Sequence, residues 1–150
     1  MAVPTDPEKR KYMFTDDMRF LQKAIVRHPT QDKFLALKRN ADAHARPGTW
    51  DLPGGNVLFG ENHLDSLMKE ISEETSLKVK GVQPIRVSTR FDGQIYHLFI
   101  GYSCKATSSK VKISDEHSEH RWVTKDEFLK LESADFLIDL VNQASQHGQD

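Results

Sequence analysis

Three glutamates, Glu70, Glu73 and Glu74, fall at helical spacing within the run GNVLFGENHLDSLMKEISEETSL, which spans residues 55–77 and follows a turn that reads LPGG. Carboxylates at i, i+3 and i+4 lie beside one another on a helix and repel, so the isolated helix is weakened by its own charges. A cation placed on that face removes the penalty, and hard carboxylate oxygens favour Mg²⁺, Mn²⁺ or Ca²⁺. A solvated acidic face is the alternative for any isolated E-x-x-E-E. A metal held on such a face can neutralise an anionic substrate, orient it and make a bound water more acidic.

The fixed positions extend beyond the three acids. From Gly55 through Glu61, Lys69, Glu70, Ile71, Glu73 and Glu74 to Leu77 the spacing is G-x5-E-x7-K-E-I-x-E-E-x-S-L. This closely resembles the Nudix box, G-x5-E-x7-R-E-U-x-E-E-x-G-U, where U is a bulky aliphatic. Trp50-Asp51-Leu52-Pro53-Gly54 resembles the family's lead-in, and Glu116 and Trp122 resemble its late features. The resemblance covers most of the chain and leaves out residues 1 to about 17. It implies an α+β protein with a Nudix-type α/β/α sandwich around a mixed β-sheet. It also implies a domain over 18–150, with 1–17 as an N-terminal extension.

The same resemblance implies roles. Glu73 and Glu74 become primary metal ligands, and Glu70 a ligand or the base that activates water. The Gly54 carbonyl joins the metal, with Mg²⁺ or Mn²⁺ as the ion. A late carboxylate supplies another ligand or a base: Glu116 is the choice and Glu119 the competitor. Glu61 braces the loop and the helix start, where an acid also suits the helix dipole. Lys69 stands where the family has an Arg that orients the neighbouring glutamate, and an ammonium is a flexible point charge rather than a planar fork. Ser76 stands where the family has a Gly. If Ser76 takes up left-handed backbone it costs roughly 1 kcal/mol.

Substrate contacts are read from fewer residues. Arg39 ends a strand and opens Arg39-Asn40-Ala41-Asp42-Ala43-His44, a run that resembles the corresponding stretch of the bacterial 8-oxo-dGTP diphosphatase, whose matching Arg contacts phosphate. A surface arginine without a role is the alternative. Trp50 and Trp122 are each suited either to stack on a base or to close the core; Trp122 reads as core, and Trp50 is kept as the candidate for substrate contact. His117 and His120 read as solvent-facing loop residues. No asparagine aligns with the one that reads the base in that enzyme. Pro84 is too close to the box for the ADP-ribose pattern, and Tyr96 narrowly misses the diadenosine polyphosphate spacing. The first reading is therefore a (d)NTP pyrophosphohydrolase that releases NMP and pyrophosphate. A nucleoside-diphosphate-sugar (ADP-ribose-like) pyrophosphatase is second, and a non-catalytic nucleotide-binding Nudix module is the alternative from another class.

The rest of the chain sets the frame. A length of 150 residues suits one domain. Twenty-one Lys and Arg against 22 Asp and Glu leave a net charge of -1, so there is no bulk attraction to a nucleic acid polymer or a membrane. The lone Cys104 lies in the apolar run IYHLFIGYSC and reads as a buried thiol in a cytoplasmic protein. No apolar stretch approaches the ~20 residues of a membrane span, and the charged amino terminus lacks a hydrophobic signal region. Family members often dimerise, which admits a homodimer.

Periodicity supplies the elements. Strands are expected at 20–27, 33–38, 82–90, 94–104 and 120–123, with a polar loop at 40–48. Asp92-Gly93 predicts a two-residue hairpin. The helix at 62–75 carries Leu64, Leu67, Met68 and Ile71 as an apolar stripe, with the glutamates to one side. A segment at 126–131 and then a terminal helix from about 134 to 146 are expected to follow.

Overall fold

The computed structural model describes residues 17–147, so all but Asp17 of the expected N-terminal extension lies outside the described residues. Strand β1 (Asp17–Arg27) is followed by β2 (Phe34–Arg39), β3 (Trp50–Asp51) and β4 (Gly54–Asn56). Helix α1 (His63–Thr75) leads into β5 (Val79–Phe91), β6 (Ile95–Ala106) and β7 (His117–Val123). Helices α2 (Lys125–Leu129) and α3 (Asp135–His147) close the described chain. The strands form one mixed sheet in the order β3-β2-β1-β6-β5, with β4 on β1 and β7 on β2.

Strand β1 is the axis of the sheet. It runs parallel to β6 from Asp17 opposite Ile95 to Arg27 opposite Lys105. Both faces are covered, so residues 22–26 are buried without a break. Alternation along the strands then divides the core in two. Ile25, Phe34, Ala36 and Phe99 point to the side closed by Phe128 of α2 and by Leu137, Leu140 and Val141 of α3. Ala24, Val26, Leu35, Leu37, Tyr102 and Cys104 point to the side closed by Leu67 and Ile71 of α1. This is the expected α/β/α sandwich. Gly101 permits the approach of α3, because a Cβ there would stand 2.3 Å from Leu140 Cδ1.

Three local expectations are corrected. The apolar stripe of α1 is only half a core face: Leu67 and Ile71 are fully buried, while Leu64 and Met68 are 43% and 38% exposed. The helix is rotated so that Ser66, Glu74 and Thr75 complete its buried side, which places a carboxylate inside. Residues 54–56 are a strand on β1 rather than a plain turn, with Lys23 opposite Gly54. The β5–β6 connection holds three residues, not two. The Asp92 carboxylate accepts from the backbone N–H groups of Gln94 and Ile95, at 2.9 and 2.8 Å, and closes the turn itself. Cys104 is buried as expected, and burial pushes its thiol up to about 12.

Candidate active site

The site forms where β4, α1 and the start of β7 converge. Gly54 has φ 141°, and a Cβ on it would lie 2.1 Å from the Gln22 carbonyl oxygen. Only glycine lets this chain segment pair so closely with β1. Gly55 is constrained from the other side, since a Cβ there would lie 2.9 Å from the carboxyl carbon of Glu70. The two glycines of the motif thus bring backbone against β1 and against a carboxylate of α1. The start of α1 is secured by Asn62, whose side chain caps the Leu64 and Asp65 N–H groups, and by Glu61, which accepts from Leu58 N–H at 2.7 Å. Glu61 is therefore a brace in this structure. Buried Gln22 donates to the His63 carbonyl at 2.7 Å and accepts from the Tyr102 hydroxyl, tying β1, α1 and β6 together behind the site.

The carboxylates differ in depth. Glu74 is 5% exposed and accepts from Gly54 N–H at 2.9 Å. Burial pushes its pKa up to about 8, with Asp51 and Glu70 adding to the rise and Lys23 and the Gly54 N–H opposing it. Glu70 is half-buried, and burial raises its carboxyl above the usual range, with further contributions from Glu73 and Glu116. Glu73 stands on the exposed side of the helix.

Glu116 and not Glu119 joins them. A Glu116 oxygen, a Glu74 oxygen and a ring nitrogen of His117 all lie within 4.8 Å of one another. Strand pairing explains the arrangement. His117 opens β7 opposite Arg39, with a register shift between Lys38 and Arg39. The Asn40 side chain donates to the Asp115 carbonyl, and the Asn40 N–H donates to the Glu116 carbonyl at 3.4 Å. Glu119 pairs with Arg121 at 2.9 Å instead. His117 corrects the loop expectation: it is a strand residue, 6% exposed, and its buried Nδ1 has no hydrogen-bond partner among the described residues. These residues fit a divalent cation. Oxygen donors from Glu74 and Glu116 converge, burial disfavours the bare charge of Glu74, and a buried ring nitrogen lacks a partner among the described residues.

Beside the carboxylates lies a cationic cluster that the motif did not reveal. Asp51 is fully buried, and its Oδ2 accepts from Lys23 Nζ at 3.2 Å, Arg39 Nη1 at 3.0 Å and Arg46 Nη2 at 3.4 Å. Burial pushes the Asp51 carboxyl up, but Lys23, Arg46 and the Leu52 N–H together bring it below the ordinary range. Lys23 Nζ also lies 3.5 Å from the Gly54 carbonyl. Arg39 is doubly held, because its Nε donates to the Ala45 carbonyl at 2.7 Å, and 23% of its side chain stays exposed. The available clue was an Asp in a strand position between Trp50 and Leu52, where a lone charge demands partners.

Other candidates are placed elsewhere. Trp50 is 5% exposed in the core, with the Arg121 guanidinium 4.6 Å from its ring centroid. A base cannot stack on a ring so covered. Trp122 is partly buried and meets His28 edge-on at 4.8 Å. Lys69 is exposed and forms no ion pair among the described residues, although its charge acts on Glu70. Ser76 does adopt the left-handed conformation, with φ 62°, and its hydroxyl donates to the Lys112 carbonyl at 3.1 Å. A cavity of about 1170 Å³, lined by Arg27, His28, Lys33, Lys80 and Lys105, is bordered by none of the carboxylates.

Comparison with known proteins identifies the family. The NUDIX domain family model matches residues 19–142. The nucleoside triphosphatase NudI of Enterobacter sp. (strain 638) is 33% identical over 104 residues, 62% of this chain and 74% of that protein. NudI of Escherichia coli O139:H28 is 31% identical over 107 residues, 64% and 76% of the two chains. Among solved structures, the MutT protein of Methanosarcina mazei Go1 superposes with a TM-score of 0.75 at 22% identity, covering 92% of this chain and all of that one. The NUDIX domain of Shewanella oneidensis NrtR, complexed with ADP ribose, gives 0.71 at 19% identity over 96% and 94%. No helix among the described residues is long and apolar enough to cross a membrane. With the Nudix box carried on α1 against the paired glycines of β4, and with the family model spanning nearly all of the described residues, the chain belongs to the Nudix family and is a hydrolase of nucleotide phosphoric anhydrides that depends on a divalent metal.

Proposed function

We propose that this enzyme is a nucleoside triphosphate pyrophosphohydrolase using Mg²⁺ or Mn²⁺. The observation that carries the reading is a carboxylate cluster, with Glu74 beside Glu116 and Glu70 under the charge of Glu73 and Glu116, next to the cations Lys23, Arg39 and Arg46 gathered around Asp51. A triphosphate chain is long and charged enough to use both. The similarity to proteins named nucleoside triphosphatase supports the same substrate class.

Glu73, Glu74, Glu116 and the Gly54 carbonyl would hold the cation, with Glu70 as a ligand or the base. Once bound, the cation supplies charge neutralisation at the phosphate oxygens and makes water more acidic. Glu70 suits proton acceptance, since burial and its acidic neighbours hold its carboxyl above the usual range. Water adds to phosphorus, the anhydride P–O bond breaks, and NMP and pyrophosphate leave. Lys69 acts on Glu70 through its charge, and the exposed edge of Arg39 faces the phosphates. The lone buried thiol and balanced charge support a cytoplasmic location, and the family's habit supports a homodimer, which sedimentation velocity measures.

A phosphate-release screen over nucleoside triphosphates and nucleotide sugars, with Mg²⁺ or with excess EDTA, tests the proposal. Metal-dependent release of pyrophosphate from triphosphates is expected. Turnover that survives EDTA refutes the mechanism. Preference for ADP-ribose establishes the second reading, which the ADP ribose complex of a structural neighbour supports. Tight binding without cleavage of any substrate establishes a binding module.

A further inference from the structure

We propose that His117 is itself a ligand to the divalent ion, joining Glu74 and Glu116 in a mixed nitrogen–oxygen set that favours Mn²⁺ and later transition ions over Mg²⁺. The inference rests on the reading above that Glu74 and Glu116 hold a cation, and adds a residue outside the acidic motif. Three observations support it. A His117 ring nitrogen lies within 4.8 Å of ligand oxygens from both glutamates. Three atoms so spaced share a centre at most about 2.8 Å from each, so small side-chain rotations reach the ~2.0–2.3 Å of metal–ligand bonds. The ring is 6% exposed and its Nδ1 is buried without a partner among the described residues, an arrangement that buried polar atoms rarely keep unless something else satisfies them.

The backbone also holds the ring in place. His117 pairs with Arg39 in the sheet, and the preceding loop is tied to Asn40 through the Asp115 and Glu116 carbonyls. An imidazole so anchored contributes little to Mg²⁺, which prefers oxygen and water, but it strengthens binding of Mn²⁺, Co²⁺ or Zn²⁺. His117 is thus argued to set metal preference, while the carboxylates set metal binding.

Pulsed EPR on the Mn²⁺-loaded enzyme tests this without reference to turnover. Wild type should show ¹⁴N coupling of a directly bound imidazole, converted to ¹⁵N coupling when the histidines are ¹⁵N-labelled. His117→Gln should lose the coupling and bind Mn²⁺ at least ~10-fold more weakly, with Mg²⁺ affinity changed less than ~3-fold. His120→Gln should keep the coupling. Bound Mn²⁺ without nitrogen coupling in wild type, or coupling retained in His117→Gln, overturns the inference and leaves the proposed function standing. Absence of any Mn²⁺ binding that Glu74→Gln can remove overturns both. If His117→Gln does not fold, the labelled wild-type spectrum decides alone whether an imidazole is bound.

Discussion

Glu74 should destabilise the metal-free protein at neutral and alkaline pH, and Glu74→Gln should reveal it. Its folded pKa of about 8 stands against an ordinary value of 4.5. Between those values the folded chain binds a proton that the unfolded chain has released. Stability from the neutral carboxyl is therefore fully present below pH 4.5 and is lost as pH rises through about 8. At 1.36 kcal/mol per pH unit the gap sets an upper bound of roughly 5 kcal/mol. The amide of Gln can still accept the Gly54 N–H bond that Glu74 accepts at 2.9 Å, and it never ionises. In EDTA at about pH 9, Glu74→Gln should be more stable than wild type by roughly 2–5 kcal/mol, and near pH 5 the two should agree within about 1 kcal/mol. Urea unfolding across that range gives both numbers. Saturating Mg²⁺ should then narrow or reverse the order at high pH, because the cation stabilises wild type in proportion to its affinity for the folded state. A variant no more stable than wild type at about pH 9 without metal, or a difference that ignores pH, would refute the account of a buried carboxylate waiting for a cation.

Three further outcomes are expected. Glu73→Gln keeps shape and removes one charge, so turnover should fall by at least ~10²-fold while the exposed position leaves the fold intact; full activity in a phosphate-release assay would remove Glu73 from the metal set. Lys69→Arg should raise turnover and leave KM nearly unchanged, because a forked donor orients Glu70 better than the exposed ammonium does; lower turnover would show a site adapted to lysine. Asp51→Asn leaves Lys23, Arg39 and Arg46 crowded without their shared anion, and thermal or urea unfolding should record a loss of about 3–5 kcal/mol. A loss below about 1 kcal/mol would mean that the cations are solvated in place.

The helix of the motif and the long strands were legible in the chain, because each depends on local pattern, whereas local pattern gave only mixed α and β and the layers followed from the resemblance to the Nudix family. Alternation along β1, β2 and β6 sends neighbouring side chains to opposite faces, and helical spacing gathers Glu70, Glu73 and Glu74. Even the strained Ser76 was readable, since the cap of a helix is a local device. Which carboxylate goes inside depends on packing between elements far apart in the chain. Leu64 and Met68 look as apolar as Leu67 and Ile71, and only the packing of α1 on the sheet leaves the first pair exposed and takes Glu74 in. Packing also brings Glu116 rather than Glu119 beside Glu74, and the register shift at Lys38 and Arg39 that accompanies it belongs to a pairing between distant strands. Asp51 gathers Lys23, Arg39 and Arg46 for the same reason: one buried anion attracts cations by distance in space, and separation along the chain carries no trace of that distance.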